Sequence, residues 1–339
     1  LAERYEAGQP CLVGTVSVIQ QVTGSYYTRY FGLAQLSDDS FVTDEDSLSG
    51  GTLQPRLGGQ LGEKNYYAQV MLMVIPIGAA LALTTRRRWR QLALIAGTML
   101  IGAGMVLTFS RGAAVAVACL IAIGLIMRIL PIRLVLASAL GGALLLAIFP
   151  AYLTRIATLG DATGLTTGFG TAAPDRALQG RAGENAAAIA AILERPLLGL
   201  GPGEFPAHYQ RYARRAAVVD LHGTERAAHS LFLGMAAESG LLGTAAFLGV
   251  LLAAAIPLLR IRQRPRAPGD ASLAVGLFLG LLGYVLAGMF LDLAYARYLW
   301  LLIALATAAG GILARTDGPE SASAAANVAG AVRAMPQGV

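Results

Sequence analysis

This 339-residue sequence contains little charge and almost no lysine. Only 14% of its residues are charged, 55% are hydrophobic, and Lys64 is the single lysine among 26 basic residues. Soluble globular domains carry about 25% charged residues, so the composition excludes that class and indicates a membrane protein. The net charge of +6 therefore comes almost entirely from arginine. The arginines cluster between apolar runs, which is typical of membrane topology and not of a nucleic-acid-binding surface.

Cysteine and histidine are also scarce. Cys11 and Cys119 both lie inside apolar runs, so the sequence predicts neither a disulfide framework nor a thiolate metal site. No group of His, Cys and Asp residues has the spacing of metal ligands. The acidic run SDDSFVTDED, at 37–46, includes a DxD-like group, but we expect a solvated loop with weak cation binding at most.

Long apolar runs dominate the rest of the chain. Most approach the roughly 20 residues that a helix needs to cross about 30 Å of hydrocarbon. A spanning helix satisfies its own backbone hydrogen bonds, so the predicted fold class is all-α, a polytopic integral membrane helix bundle. The predicted spans lie near 11–24, 66–83, 91–109, 112–127, 133–151, 239–259, 271–291 and 296–314.

Three arginine clusters predict the orientation. Threading the spans places all three clusters on one side of the membrane, which the positive-inside rule makes cytoplasmic. The outer side then receives residues 25–65, the turn at Ser110 and Arg111, and the segment 152–228. The clusters are Arg86, Arg87, Arg88 and Arg90; Arg128 and Arg133; and Arg260, Arg262, Arg264 and Arg266.

The segment 152–228 is too long for a simple connection between two spans, so we expect a large, partly helical outer loop with a helix near 181–194. The tail is small and polar, which predicts disorder. The predicted parts are 1–65, a truncated first span plus an outer loop; 66–151, transmembrane helices; 152–228, the large outer loop; 229–315, transmembrane helices; and 316–339, a disordered cytoplasmic tail.

Four short motifs place polar residues on the predicted outer side of the membrane. They are RLGGQLGEKNYYAQ at 56–69, TFSRGA at 108–113, PLLGLGPGEF at 196–205 with Arg181 fifteen residues ahead of it, and AHSLFLGMAAESGLLG at 228–243. As an ordered set they resemble the signature of the O-antigen ligase and O-antigen polymerase superfamily of bacterial membrane glycosyltransferases. Two positions depart from it: Ser230 stands where family members often have asparagine, and Asn185 where they often have an aromatic residue.

The resemblance implies transfer of a glycan from an undecaprenyl-pyrophosphate carrier to an acceptor at the outer face of the bacterial cytoplasmic (inner) membrane, in lipopolysaccharide or surface polysaccharide biosynthesis. The acceptor class stays open between glycan, lipid A-core and protein. Polysaccharide polymerase and protein O-oligosaccharyltransferase are therefore alternatives to O-antigen ligase. The implied partners are the lipid-linked donor, the acceptor and the lipid bilayer, with no nucleic acid, no cofactor and no metal.

His229 is the candidate catalytic residue. A neutral imidazole can remove the proton of an acceptor hydroxyl while the sugar carbon is attacked, so we expect a general base. The alternative is an interfacial ring that only caps a turn. His208 and His222 lack a similar setting and are predicted to be surface residues.

Three arginines are the candidate binders of pyrophosphate and glycan. A departing pyrophosphate needs its developing negative charge stabilised, and arginine can bind phosphate oxygens in a bidentate fork. We expect Arg111 in a turn that Gly112 makes tight, with a snorkelling membrane anchor as the alternative. Arg181 is predicted to begin the loop helix, where the helix dipole would assist anion binding, unless it is a solvated loop residue. Arg56 is the third candidate.

Four residues are predicted to support this site: Ser110, Asn65, Gly201 and Gly203. The stretch GLGPGEF, at 199–205, has neither the Lys-Ser/Thr ending nor the preceding strand of a nucleotide-phosphate loop, so it is predicted to be a hinge or a backbone surface for the glycan. Glu238 follows His229 by nine residues, which places it on the opposite helix face; we expect a neighbouring helix to hold it.

A transporter or flippase for lipid-linked glycans is the alternative from another class. Transporters tend to carry paired, interrupted spans and ionisable residues near the bilayer midplane. In this sequence the polar features gather at the outer rim and in one large loop, which favours an enzyme that works at the membrane interface.

Overall fold

The computed structural model describes residues 9–25, 28, 30, 64–130, 132–148, 176–216, 218, 225–263, 265, 267, 269–291 and 296–315. Within these residues every regular element is helical, which confirms the all-α class. The acidic run 37–46, Arg56, His222 and the tail 316–339 lie outside the described residues. The helices are α1 (Gln9–Thr23), α2 (Lys64–Thr84), α3 (Arg88–Val106), α4 (Arg111–Ile126), α5 (Ile132–Ile148), α6 (Arg176–Glu194), α7 (Phe205–Arg215), α8 (Leu231–Gln263), α9 (Asp270–Ala287, followed by a 3-10 turn Gly288–Phe290) and α10 (Arg297–Arg315).

The described part contains four helices that are long and apolar enough to cross a membrane: α2, α3, α8, and α9 with its 3-10 turn. Shorter apolar helices occupy Cys11–Thr23, Arg111–Ile126 and Arg297–Leu313. The chain is therefore a polytopic membrane protein. Helix α8 begins at Leu231, eight residues before the predicted span 239–259, so its first two turns extend beyond that span.

Two ends of the bundle can be defined by contacts. At one end, the Arg262 guanidinium donates to the Arg128 carbonyl oxygen at 2.6 Å, and Gly269 lies against Thr84. We call this the arginine end. At the other end, where α2, α4 and α8 begin, Leu231 packs against Gly288. We call this the loop end.

The bundle core joins α2, α4, α8, α9 and α10. Helices α2 and α9 approach each other closely: a Cβ added to Gly276 would lie 2.9 Å from the Pro76 carbonyl oxygen, and one added to Gly280 would lie 2.7 Å from that of Met73. Small residues allow such close approach between spanning helices, where van der Waals packing is the main attraction. This packing holds α2 and α9 side by side along the bundle.

Helices α6 and α7 form a second layer on the first turns of α8. Ala187, Ala188 and Ala191 of α6 are buried against an aromatic face of α7 that includes Tyr209 and Tyr212. Their spacings of three and four residues place each set on one helix face. Ala237 of α8 belongs to the same cluster, so the layer is anchored directly on the spanning helix that follows it.

Helix α8 is interrupted at Gly240, where φ is 67° and ψ is −176°. This backbone region is essentially restricted to glycine. The break admits the turn after α6: the Leu241 amide donates to the Pro196 carbonyl oxygen at 2.7 Å. A Cβ on Gly240 would lie 2.2 Å from the Leu197 carbonyl oxygen, and one on Gly199 would lie 2.4 Å from the Glu238 carbonyl oxygen.

Replacing Gly240 by alanine should destabilise the protein strongly. The backbone strain alone costs about 1–3 kcal/mol, and the added Cβ would also overlap Leu197. Thermal unfolding in detergent should show a clearly lower midpoint. Gly249→Ala is the matched control on the same helix, because a Cβ there has nothing within 4 Å. A Gly240→Ala protein that unfolds at the wild-type midpoint would contradict the close packing.

Candidate functional site

The motif TFSRGA forms the tight connection between α3 and α4 at the loop end. Phe109 is buried with a φ of 51°, in the left-handed region. Ser110 is the N-cap of α4: its Oγ accepts from the Ala113 amide at 3.4 Å and donates to Asn65 Oδ1 at 2.9 Å. Two of the predicted supporting residues, Ser110 and Asn65, are thus hydrogen-bonded to each other.

Arg111 is the first residue of α4 and is only 8% exposed. The prediction that Gly112 makes the turn tight was wrong. The left-handed residue of the turn is Phe109, whereas Gly112 lies inside the helix, where a Cβ would come 3.2 Å from Phe290 Cβ. Its missing side chain serves packing between α4 and the 3-10 turn.

A small cleft opens at the loop end of the bundle and brings three predicted residues together. Asn65 from α2, Ser110 at the start of α4 and Arg181 from α6 all line it. Gln69 also lines the cleft; it is buried, and its amide nitrogen donates to the Tyr284 carbonyl oxygen at 3.1 Å. Arg111 is not one of the lining residues described, although both of its chain neighbours, Ser110 and Gly112, are.

Arg181 lies in α6, but the prediction that it begins this helix was wrong. The helix begins at Arg176, so Arg181 lies in its second turn. The unsatisfied amides and the positive end of the helix dipole belong to the first turn. Anion binding by Arg181 must therefore rely on its guanidinium.

A buried carboxylate on the same helix contacts His229. Glu184 is only 1% exposed; its Oε2 faces the imidazole Nδ1 of His229, and its Oε1 accepts from the guanidinium of Arg226. Burial raises the pKa of Glu184, but its contacts with the His229 imidazole and the Arg226 guanidinium outweigh burial and hold the pKa below its ordinary value. The carboxylate is therefore ionised.

This contact fixes the orientation of the imidazole. An ionised carboxylate can only accept hydrogen bonds, so the proton of a singly protonated ring belongs on Nδ1 and the lone pair on Nε2. Tyr209 of α7 belongs to the same layer as Glu184. Burial, together with the charge of Glu184, raises the pKa of the Tyr209 hydroxyl. A ring held through Nδ1 presents Nε2 as a proton acceptor.

His229 stands just before α8, and Ser230 caps the helix. The Ser230 carbonyl oxygen accepts from the Gly234 amide at 2.8 Å, and its Oγ lies 3.5 Å from the Leu233 amide. His229 therefore precedes the first turn of the helix, which begins at Leu231. Serine and asparagine are both favoured N-caps, so the Ser230 departure preserves this helix start.

The glycine-rich loop binds α8 through its backbone. The amides of Leu200 and Gly201 donate to the carbonyl oxygens of Ala237 and Glu238, at 2.9 and 2.8 Å. The Gly203 amide donates to Glu238 Oε2 at 2.8 Å. The backbone of this loop therefore contacts the Glu238 carboxylate, for which we expected a neighbouring helix as the partner. Gly201 and Gly203 anchor the loop and do not line the cleft described above.

Sequence reasoning missed Glu184 and Arg226. Glu184 follows Arg181 by three residues, so both lie on the same side of α6. That spacing could have drawn attention to Glu184, whereas nothing local to Arg226 indicates its partner.

His208 is partly exposed, with Nδ1 2.9 Å from the Glu204 carbonyl oxygen, which confirms a surface residue. Within the described ranges, no three His, Cys, Asp or Glu residues form a metal-binding group.

Fold and site together define a polytopic membrane protein whose polar site lies at one end of its helix bundle. Residues 96–248 match the family model described as O-Antigen ligase, so this part of the chain is an O-antigen ligase family domain. The matched range contains Ser110, Arg111, Arg181 and His229 but not Asn65. No curated protein and no solved structure matches the chain.

Proposed function

We propose that this protein transfers a glycan from an undecaprenyl-pyrophosphate carrier to an acceptor hydroxyl or amide at the outer face of the bacterial cytoplasmic membrane. The observation that carries the proposal is the contact between Glu184 and His229, one helical turn from Arg181 at the cleft. The O-antigen ligase family domain supports the same reaction class.

In the proposed reaction, His229 Nε2 takes the proton of the acceptor hydroxyl. The acceptor oxygen then bonds to the anomeric carbon of the donor sugar, and the carbon–oxygen bond to pyrophosphate breaks. The electron pair leaves with the pyrophosphate, whose developing negative charge Arg181 and Arg111 stabilise. Glu184 holds the imidazole in the basic tautomer, and the transfer is proposed to need no metal.

Purified protein supplied with a lipid-pyrophosphate glycan tests the proposal. Each acceptor class would be added separately: lipid A-core, a second lipid-linked repeat unit, and a protein with accessible hydroxyls. We expect one acceptor to yield a transferred glycan and free undecaprenyl pyrophosphate. Movement of intact donor across a liposome membrane without transfer would instead support the transporter alternative. Lack of product with every acceptor would contradict the proposed transfer.

Changing Arg111 to lysine should reduce transfer by about 10–100-fold. Lysine keeps the positive charge but loses the bidentate fork, and one lost hydrogen bond to a charged group is worth about 1.5–3 kcal/mol. Steady-state rates with saturating donor would show the loss. Arg211→Lys, on the exposed face of α7, is the matched control and should be silent. Wild-type turnover and donor binding in Arg111→Lys would remove Arg111 from the site.

The proposed orientation places the loop end outside the cytoplasm. After Cys11 and Cys119 are replaced, Ala207→Cys on α7 should react with an impermeant maleimide added to intact spheroplasts. Ala267→Cys, which is exposed at the arginine end, should react only after permeabilisation. The reverse pattern would place the site in the cytoplasm and would contradict a donor presented at the outer face.

A further inference from the structure

Five leucines at the junction of α6 and α8 are exposed although they are large and apolar. Each is between 53% and 76% exposed. They are Leu193, Leu197, Leu198, Leu241 and Leu242. We call this surface the leucine patch. Single exposed leucines need no explanation, but a contiguous group indicates an interaction surface.

The backbone joins the two halves of the patch. The Leu241 amide donates to the Pro196 carbonyl oxygen at 2.7 Å, and the Leu242 amide donates to the Leu197 carbonyl oxygen at 3.3 Å. The turn after α6 therefore lies directly beside the spanning helix. Leu197 and Leu198 must stand at the same depth as Leu241 and Leu242.

That depth follows from the length of α8. Arg260 follows Leu241 by nineteen residues on this helix, a distance of about 29 Å at 1.5 Å per residue. The hydrocarbon layer is about 30 Å thick. If Arg260 lies at the interface of the arginine end, Leu241 lies where the hydrocarbon begins at the loop end. The leucine patch is therefore level with the outermost part of the acyl chains.

The turn is suited to an apolar environment. Pro196 has no amide hydrogen to satisfy, and the carbonyl oxygens of Pro196 and Leu197 both accept from α8. The opposite face of α6 is buried against α7 through Ala187 and Ala191. Arg195 is exposed between the leucines and can reach phosphate headgroups while its stem stays on the apolar surface.

We propose that the leucine patch inserts into the acyl chains of the bilayer leaflet at the loop end. The occupant is bilayer lipid, because the patch adjoins the exposed apolar residues of the α8 segment that follows Gly240, such as Leu248 and Leu252. The turn between α6 and α7 then acts as a membrane anchor that holds the second layer down on the bundle. This inference is independent of the proposed glycan transfer.

Depth-dependent fluorescence quenching tests the anchor. In a background without Cys11 and Cys119, Leu198→Cys would carry an environment-sensitive fluorophore, with the whole protein in phosphatidylcholine nanodiscs. Nitroxide lipids labelled near the headgroup should quench this probe more than lipids labelled near the acyl end. Leu252→Cys, which is exposed in the middle of α8, should show the opposite order. Ala207→Cys should be quenched by aqueous iodide instead.

Two outcomes would overturn the proposal. A Leu198 probe that iodide quenches as strongly as the Ala207 probe, with no effect of nitroxide lipids, would place the patch in water. A probe that becomes protected only when each nanodisc holds two copies of the protein would show that a second copy covers the patch. Neither outcome depends on whether the protein transfers glycans.

Discussion

Replacing His229 by alanine should slow glycan transfer by about 10²–10⁴-fold, the usual worth of a positioned general base. The alanine protein should still fold, insert and bind donor, because the ring is partly exposed and the start of α8 is capped by Ser230. Single-turnover transfer with preloaded donor would measure the chemical step separately from binding.

His208→Ala is the matched control for His229→Ala. His208 lies on α7 in the same layer, but its ring is partly exposed and lies beside the backbone and side chain of Glu204. Its removal should leave the rate within about twofold, since surface substitutions are usually nearly neutral. Transfer at the normal rate in His229→Ala would show that the ring is only an interfacial residue.

Replacing Glu184 by glutamine should lower the rate by up to about 10⁴-fold, although the side chain keeps its size. An amide can donate to Nδ1 and so place the ring proton on Nε2, which abolishes the basic nitrogen. The corresponding Asp→Asn change in the Ser-His-Asp triad lowers the rate by about 10⁴-fold. The rate would be measured across the pH range, because a merely structural role would lower protein yield and not change the pH profile.

A double-variant cycle identifies how Glu184 acts. If Glu184 works only through His229, Glu184→Gln should cause little further loss in a His229→Ala background. Glu194→Gln, on the same helix, is the matched control, since Glu194 pairs with Arg211 and Arg215 at the exposed surface. Equal losses from Glu184→Gln in both backgrounds would contradict a positioning role.

The same carboxylate links stability to acid. The folded-state pKa of Glu184 lies below its ordinary value, so its contribution to stability is present above the ordinary pKa. That contribution is lost as the pH falls through the lowered folded-state pKa. Glu184→Gln should therefore be less stable than the wild type near neutral pH, and the difference should shrink in acid.

The sequence predicted the membrane architecture because its signals are local. Apolar runs of spanning length and arginine clusters between them can be counted residue by residue. The same holds for the helix near 181–194, where alanine-rich spacing and Pro196 suffice. Its start was placed too late, because residues 176–180 gave no strong boundary signal and helix ends are the least specified feature of a sequence.

The sequence also determined which residue types could serve the site, since arginines and a histidine stood in recognisable motifs at 108–113, 181 and 228–243. Only the tertiary structure decided their partners. Arg226 and Glu184 are 42 residues apart, and they meet with His229 because α6 packs on the first turns of α8. That packing depends on a left-handed break at Gly240 that accepts the Pro196 turn. Contacts set by long-range docking of two helices leave no periodic signal in either segment, so the carboxylate behind His229 became visible only in the folded chain.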